Sequence, residues 1–424
     1  MSLITKRTSR VAELAAEIQH HTALLDTYHT ESGRPPLSFD TQAEPRTPYP
    51  AGVERSRAAA VEASTELAEL LETPEVLVTQ NQLLVSCEAV FHRFIYEFDV
   101  ARKVPLIGDI SYLDLSTSIG VPEHAVKRMI KLAIANRIFC EARRGFVSHS
   151  AGSKVIAEHQ YIRDYEGAYV EELIPTSLYA INAIQKWPHA DCAEQTAYVL
   201  SRRGDTAGDY WKDLGREPDR ARRFAGLMQA FAQSDELKLA HVVDGFDWGA
   251  QGKAKIVDLG GSTGDTAFVL AERFPELSIV VQDLKETLAG AKEQAGMDVT
   301  FMEHDFFDTQ PVKNADVYFF RWIFHDWADG KCVSILKALI PALKLGARVI
   351  IMDAVLPQVG ALPNGMERRV RVFDVMMHAL FAARERELDD WISIFAEADE
   401  RFVLEAVRQP EGSRLSVMEW KWSV

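Results

Sequence analysis

Val11, Leu14, Ala15, Ile18, Leu24 and Leu25 recur at helical spacing near the start of the chain and predict an amphipathic arm. A polar, proline-rich stretch over 32–50 then reads as a linker. Helical periodicity returns in the alanine- and leucine-rich 58–71 and again over 83–96, where the first packed domain begins. From 112 to 157 the pattern runs helix, turn at 120–122, helix over 123–135, strand-like 138–141, turn at 143–145 and strand-like 146–148. That order is a winged-helix outline. Residues 156–245 read as mostly helical, with 220–233 a strong helix and aromatics such as Tyr179, Trp187 and Trp211 spread among them. Beyond Gly252 the texture changes: short apolar runs at 255–259, 279–282, 299–302, 315–320 and 347–352 alternate with helical patterns. Such alternation predicts a doubly wound parallel sheet. The expected organisation is an arm and linker over 1–80, a winged-helix domain over 81–155, a helical connector over 156–245 and an α/β domain over 246–424.

Composition narrows the class. At 424 residues, 47% hydrophobic, the chain can build two or three packed domains. A net charge of −15 argues against polyanion binding as the main role, because nucleic-acid affinity comes largely from neutralising phosphates. Locally, 81–155 holds ten Lys and Arg against seven Asp and Glu, so Lys127, Arg128 and Lys131 on the second helix either face a DNA groove or are merely solvated. The acidic whole favours the second. Cys87, Cys140, Cys192 and Cys332 are far apart and form no C-x-x-C pair, which points to neither a zinc site nor a disulfide framework and fits the cytosol. Residues 1–10 have no apolar signal core, and no stretch approaches the ~18 apolar residues of a membrane span. A small-molecule partner is the expectation.

In a doubly wound sheet ligands bind beyond the carboxyl ends of the strands, so the residues there are the site candidates. The first run ends in Asp258, followed by Gly260, Gly261 and Gly264; Leu259 stands where a dinucleotide fingerprint needs its first glycine, so the turn suits a nucleoside without a pyrophosphate. The second ends in Asp283, 25 residues after Asp258, at a suitable distance for a carboxylate accepting two ribose hydroxyls. The third leads into His304, Asp305 and Phe306, a carboxylate for an adenine amino group and a ring for its face. The fourth passes through Arg321 and Trp322 to Phe324, His325, Asp326 and Trp327, and the fifth ends in Asp353. Each piece alone has a structural reading: a common turn, a helix cap, a solvated histidine. One acid or base at the tip of each successive strand is harder to explain as packing.

The segments VDLGGSTG (257–264), VVQDL (280–284), EHDFF (303–307), DVYFFRWIFHDW (316–327) and FDVMMHALFAARERELDDW (373–391) resemble the class I S-adenosylmethionine-dependent O-methyltransferases, in particular the fungal secondary-metabolite branch related to plant caffeate and flavonoid enzymes. The resemblance covers roughly the last four-fifths of the chain. It implies a helical winged-helix dimerisation region, a Rossmann-like doubly wound catalytic domain, S-adenosyl-L-methionine as cofactor and a homodimer. It implies that Gly260 and Gly261 lie against the methionine part of the cofactor, Asp283 on the ribose, and Asp305 and Phe306 on the adenine. Arg321 stands where plant relatives usually carry lysine, exchanging an ammonium for a planar fork. His325 matches the general base, with Asp353 and Glu385 to orient and polarise its imidazole.

The chemistry explains these residue types. Methyl transfer from a sulfonium needs a nucleophilic oxygen held in line and its proton removed. A phenol near pKa ~10 can yield that proton to an imidazole near ~6.5 held by a carboxylate, with no metal required. For the acceptor pocket the candidates are Phe324, Trp327, Phe373, Met376, Met377 and His378, with Tyr179 and Met228 closing it. Methionines adapt to flat aromatic faces; Phe373, Met376 and Met377 equally fit core at helical spacing, Trp327 and Trp391 fit packing, and Asp326 fits a helix cap. The expected activity is O-methylation of a phenolic hydroxyl on a polyketide-like or other aromatic metabolite. The alternatives are a relative that uses the bound sulfonium for dehydration or pericyclic chemistry, and a winged-helix regulator that binds DNA.

Overall fold

Ser9 accepts the N–H of Ala12 and starts the helix Arg10–Glu31, which carries the expected arm on past Leu25. The computed structural model describes residues 9–41, 49–202, 208–292 and 294–424, apart from the side chains at 80 and 81. Residues 1–8 of the expected arm domain and 42–48 of the expected linker therefore lie outside the described residues. The chain forms two compact units: one comprises Met1–Ile174, Arg223–Leu227 and Gly360–Arg369, the other Pro175–Arg222, Met228–Val359 and Val370–Val424.

In the first unit, the arm packs on the helix Ala51–Leu71, burying Leu14 and Leu25 on one side and Ala60 and Ala63 on the other. Thr73 caps the helix Pro74–Glu97, whose proline sits where its missing N–H costs nothing. The helices Tyr112–Ile119 and Glu123–Ala135 appear as the periodicity predicts, with Val126, Ile130 and Ala133 buried against Phe91, Ile95, Tyr112 and Leu115. The strand expected over 138–141 does not form. Arg137 and Phe139 adopt positive φ (65° and 69°), which interrupts an extended run and leaves a single bridge from Cys140 to Ser148. Phe146–Val147 instead pairs antiparallel with Ile110–Ser111. On the second helix, Lys127 is paired with Glu123 at 2.7 Å.

The second unit is built on a seven-stranded sheet. Its strands are β1 (Lys255–Leu259), β2 (Ser278–Asp283), β3 (Val299–Glu303), β4 (Val317–Arg321), β5 (Arg348–Asp353), β6 (Phe402–Arg408) and β7 (Ser416–Trp422), in the order β3-β2-β1-β4-β5-β7-β6. The five expected strands are present and parallel. The sheet is mixed, however, because β7 runs antiparallel between β5 and β6. Alternate residues of the central strands enter opposite cores: Val257, Leu259, Tyr318, Phe320, Val349 and Ile351 on one face, Ile256, Ile279, Val281, Val317, Phe319 and Ile350 on the other. Helices Asp329–Leu339 and Leu388–Ala398 cover the first face, and Asp265–Arg273 the second.

β7 is anchored by Trp420, which is buried and stacked on Phe395 at 3.8 Å between ring centroids. Replacing it by alanine removes both the burial and the stacking partner, and Trp420→Ala is expected to cost about 3–5 kcal/mol in urea denaturation. A loss below 1 kcal/mol would show that the strand does not depend on this contact. Among the described residues no helix is long and apolar enough to cross a membrane.

Candidate active site

The strand order reverses between β1 and β4, and the carboxyl ends of both strands open into the crevice where open α/β sheets bind ligands. After β1 the chain turns sharply: Gly260 lies at φ +72° and Gly264 at +88°. The N–H groups of Gly260 and Gly261 both donate to the Gln282 carbonyl, at 2.8 and 3.2 Å, which ties the turn to the end of β2. A Cβ at Gly261 would lie 2.6 Å from an Asp258 carboxylate oxygen and 2.8 Å from Val281 Cγ1. Only glycine leaves room there.

Asp258 is buried, and its Oδ2 has no hydrogen-bond partner. Burial pushes its carboxyl up to about 7, with Arg321 opposing and Asp283 adding to the rise. Arg321 donates to the Leu237 carbonyl at 2.7 Å, while its Nε is buried without a partner and burial lowers its affinity for the proton. Asp283 accepts the N–H groups of Ser262 (2.9 Å) and Leu284 (2.8 Å). Asp305 is exposed and closes a local turn by accepting the Phe307 N–H at 3.0 Å; Phe306 is half-buried beside it.

Trp327, expected at the acceptor, is packed instead beside the expected adenine residues: its ring lies 5.8 Å from Phe306 and 4.8 Å from Phe307. The short 3-10 turn Phe324–Asp326 accounts for this, because it redirects the chain just before Trp327. Phe324 is also corrected. Its ring is fully buried between Phe320 of the central strand β4 and Trp391, in the core on one face of the sheet.

The turn presents His325 itself to a different set of groups. Its Nδ1 lies 3.0 Å from Glu385 Oε1, and its Nε2 lies 3.5 Å from Asp326 Oδ1. A carboxylate only accepts, so in the neutral imidazole Glu385 selects the tautomer protonated at Nδ1 and leaves the lone pair on Nε2. Burial works against a charge on this imidazole, but Asp326 and Glu385 outweigh it, with a smaller contribution from Asp353, and raise its pKa to about 10. Asp353 does not reach the ring: its Oδ2 accepts the Phe324 N–H at 3.1 Å, so it holds the backbone before the histidine, and burial raises its carboxyl to about 7. Asp326 is likewise raised by burial, to about 6.

Two further neighbours of the imidazole are named from the sequence only as part of the run after the fourth strand, with no role beside the ring. Trp322 stacks on His325 at 5.3 Å with the planes 14° apart, from a left-handed backbone conformation (φ 59°) that no sequence pattern signals. Asp326 reads as a helix cap, and only the tight turn brings it to Nε2. Around them Phe373 lies 6.3 Å from Trp322 and 5.4 Å from Phe231, and the Arg414 guanidinium sits 3.9 Å from the Phe373 ring centre. Met376 and His378 are half-buried and Met377 is buried on the same helix, Asn364–Phe381. Tyr179 is exposed and Met228 half-buried.

Comparison with known proteins gives the family of the chain. Residues 195–399 match the model of the O-methyltransferase domain. The chain is 41% identical over 420 residues to O-methyltransferase gsfB of Penicillium aethiopicum, covering 99% of this chain and 100% of the relative. It is 36% identical to O-methyltransferase PaMT of Phomopsis amygdali, covering 98% and 97%. The chain belongs to the O-methyltransferase family. Among solved structures, LepI in complex with SAM superimposes with a TM-score of 0.73 at 20% identity, covering 96% of this chain and 100% of that one, and OxaC with 0.74 at 18%, covering 98% and 100%. At those identities the likeness is one of fold.

S-adenosyl-L-methionine is the methyltransferase's cofactor. The residues present fit it. The turn at Gly260 and Gly261 is packed too closely on Ile323, Asp258 and Val281 to carry side chains, and the unpartnered Asp258 Oδ2 and Arg321 Nε are an acceptor and a donor of the kind the amino-acid end of such a molecule takes.

Removing the charge of Glu385 while keeping its shape tests the electrostatics of the imidazole. Its negative charge is one of the causes of the raised His325 pKa, so in Glu385→Gln that pKa falls. The rise of rate with pH then moves to lower pH, while the plateau drops by about 10–100-fold as orientation is lost. A pH–rate profile identical in shape and position to that of the parent would refute this role.

Proposed function

We propose that this methyltransferase methylates a phenolic hydroxyl of a polyketide-like or other aromatic metabolite, with His325 as general base. The observation that carries the proposal is the Glu385–His325 pair, with Nε2 left as the acceptor beside an aromatic group formed by Trp322, Phe231 and Phe373. Flat rings suit such walls, because offset and edge contacts between aromatics add to their apolar burial. When bound, the cofactor supplies a methyl group on a positively charged sulfur. His325 Nε2 takes the acceptor's proton, Glu385 balances the imidazolium, and Asp353 keeps the backbone at Phe324 in place. Gly260, Gly261 and Gly264 form the cofactor turn, Asp258 and Arg321 address its amino-acid end, Asp283 its ribose, and Asp305, Phe306 and Trp327 its adenine. Phe373, Met376 and Met377 line the acceptor side.

The decisive assay incubates the protein with methyl-labelled S-adenosyl-L-methionine and a broad panel of phenols. Labelled product together with S-adenosylhomocysteine supports the reading. A product of unchanged methyl count, with no S-adenosylhomocysteine, would replace it by a dehydration or pericyclic reaction.

For the first unit, we propose a cytosolic homodimer formed through a winged-helix region over 81–155 and the arm over 1–80. The support is apolar exposure along the helix Pro74–Glu97, where Leu77, Val78, Leu83, Leu84, Val85 and Val90 are all exposed. Light scattering is expected to give twice the chain mass for the parent and the single mass for Leu83→Glu/Val85→Glu. A monomeric parent would end this proposal.

A further inference from the structure

Arg386 follows Glu385 and is fully buried, an arrangement that calls for partners for every donor of its guanidinium. The side chain finds them on the turn that carries His325. Nη1 donates to the Phe324 carbonyl at 2.9 Å and Nη2 to the Trp327 carbonyl at 2.6 Å, so one planar group holds the backbone on both sides of the histidine. Nε and Nη2 together clasp Asp329 Oδ1 at 2.9 and 2.8 Å, at the start of the next helix. Cys332 Sγ lies 3.3 Å from Nη2 and within 3.4 Å of the same two carbonyls, closing the arrangement from below.

The main chain of Arg386 is engaged as well. Its carbonyl accepts the Leu356 N–H at 2.7 Å, and the residue bridges Val355 in parallel. Those residues directly follow β5, the strand that ends in Asp353. The three segments that supply His325, Asp353 and Glu385 therefore meet on one residue that does not itself touch the imidazole.

We propose that Arg386 is a positioning residue for methyl transfer: its fork holds the His325 turn at hydrogen-bonding reach of Glu385 and in register with Asp353. The proposal rests on the reading of His325 as base. Its physical content is geometric, because a displacement of about 1 Å in a reacting group can cost 10²-fold in rate. Lysine would keep the charge but cannot present paired, coplanar N–H groups to two carbonyls and a carboxylate.

The test compares full-length parent, Arg386→Lys, Asp329→Asn and the double variant. Arg386→Lys is expected to bind S-adenosylhomocysteine within about threefold of the parent by calorimetry, to keep KM within about threefold, and to lose about 100-fold in kcat. Asp329→Asn, which leaves the fork with a weaker clasp, is expected to lose about tenfold, with the double variant no worse than Arg386→Lys alone. The nitrogen-15 titration of His325 is expected to move to lower pH in both single variants as Glu385 loses its hold. Unchanged kcat and an unchanged His325 titration in folded Arg386→Lys would overturn the proposal, as would a loss of activity that tracks only the unfolded fraction. Should Arg386→Lys fail to fold, Asp329→Asn decides by the same two readouts. If the parent methylates nothing, the functional reading fails, and the titration still decides whether Arg386 sets the histidine's environment.

Discussion

His325→Ala is expected to lower methyl transfer by about 10³-fold while leaving cofactor affinity unchanged, since a positioned general base contributes roughly 10²–10⁴. The two halves of this result depend on separate groups. The imidazole is held by Glu385 at 3.0 Å and stacked on Trp322, whereas the groups proposed for the cofactor's amino-acid end lie around Asp258 and the glycine turn. Removing the ring thus takes away the proton acceptor without disturbing the cradle. Calorimetry with S-adenosylhomocysteine and single-turnover transfer to an accepted phenol measure the two quantities on one preparation. Full activity in the variant would mean that the phenol loses its proton elsewhere, and Asp326, 3.5 Å from Nε2, would be the next candidate. The parent is also expected to work better at alkaline pH, because the carboxylates around the imidazole hold its pKa up to about 10 and only the neutral ring can accept a proton.

Gly261→Ala is expected to produce the opposite pattern: cofactor binding weakened by at least about 100-fold, with the His325 pair intact. The added methyl group would meet the Asp258 carboxylate at 2.6 Å and Val281 at 2.8 Å, and both belong to buried strands that cannot withdraw. Relief must come from the turn, at the expense of the bonds to the Gln282 carbonyl. Gly260→Ala is a gentler comparison, because its new Cβ meets the flexible tip of Ile323 at 2.4 Å, although the φ of +72° adds about 1 kcal/mol of strain. The ranking is read from dissociation constants of S-adenosylhomocysteine. Equal affinities in parent and Gly261→Ala would show that the turn does not bound the cofactor site. A Gly261→Ala protein that binds normally but transfers slowly would place the glycine at the reacting centre instead.

Much of this was legible in one dimension. Four of the parallel strands, β1, β2, β4 and β5, announce themselves because they are buried on both faces and read as short apolar runs, whereas the edge strand β3 is largely exposed; glycines at 260, 261 and 264 mark a turn that few residues can make. The hairpin of β6 and β7 is marked in the sequence only by Pro410 and Gly412 and by the alternation over 418–422, a weaker signal than an unbroken apolar run. In the first unit the helices follow their periodicity, whereas the strand expected at 138–141 is lost to two left-handed backbones that residue type does not disclose.

The site divides along the same line. Residue chemistry by itself determined that acids, a histidine and a glycine turn stand at the strand ends, since each short apolar run stops where its strand does. Only the tertiary structure decided which of them meet. Phe324 went into the core and Trp327 to Phe306 because a three-residue turn reversed the side-chain order that a strand or helix would have kept. Glu385 reached His325 across 60 positions, and Arg386 joined the segments that hold both, because a buried guanidinium must find acceptors wherever the chain brings them.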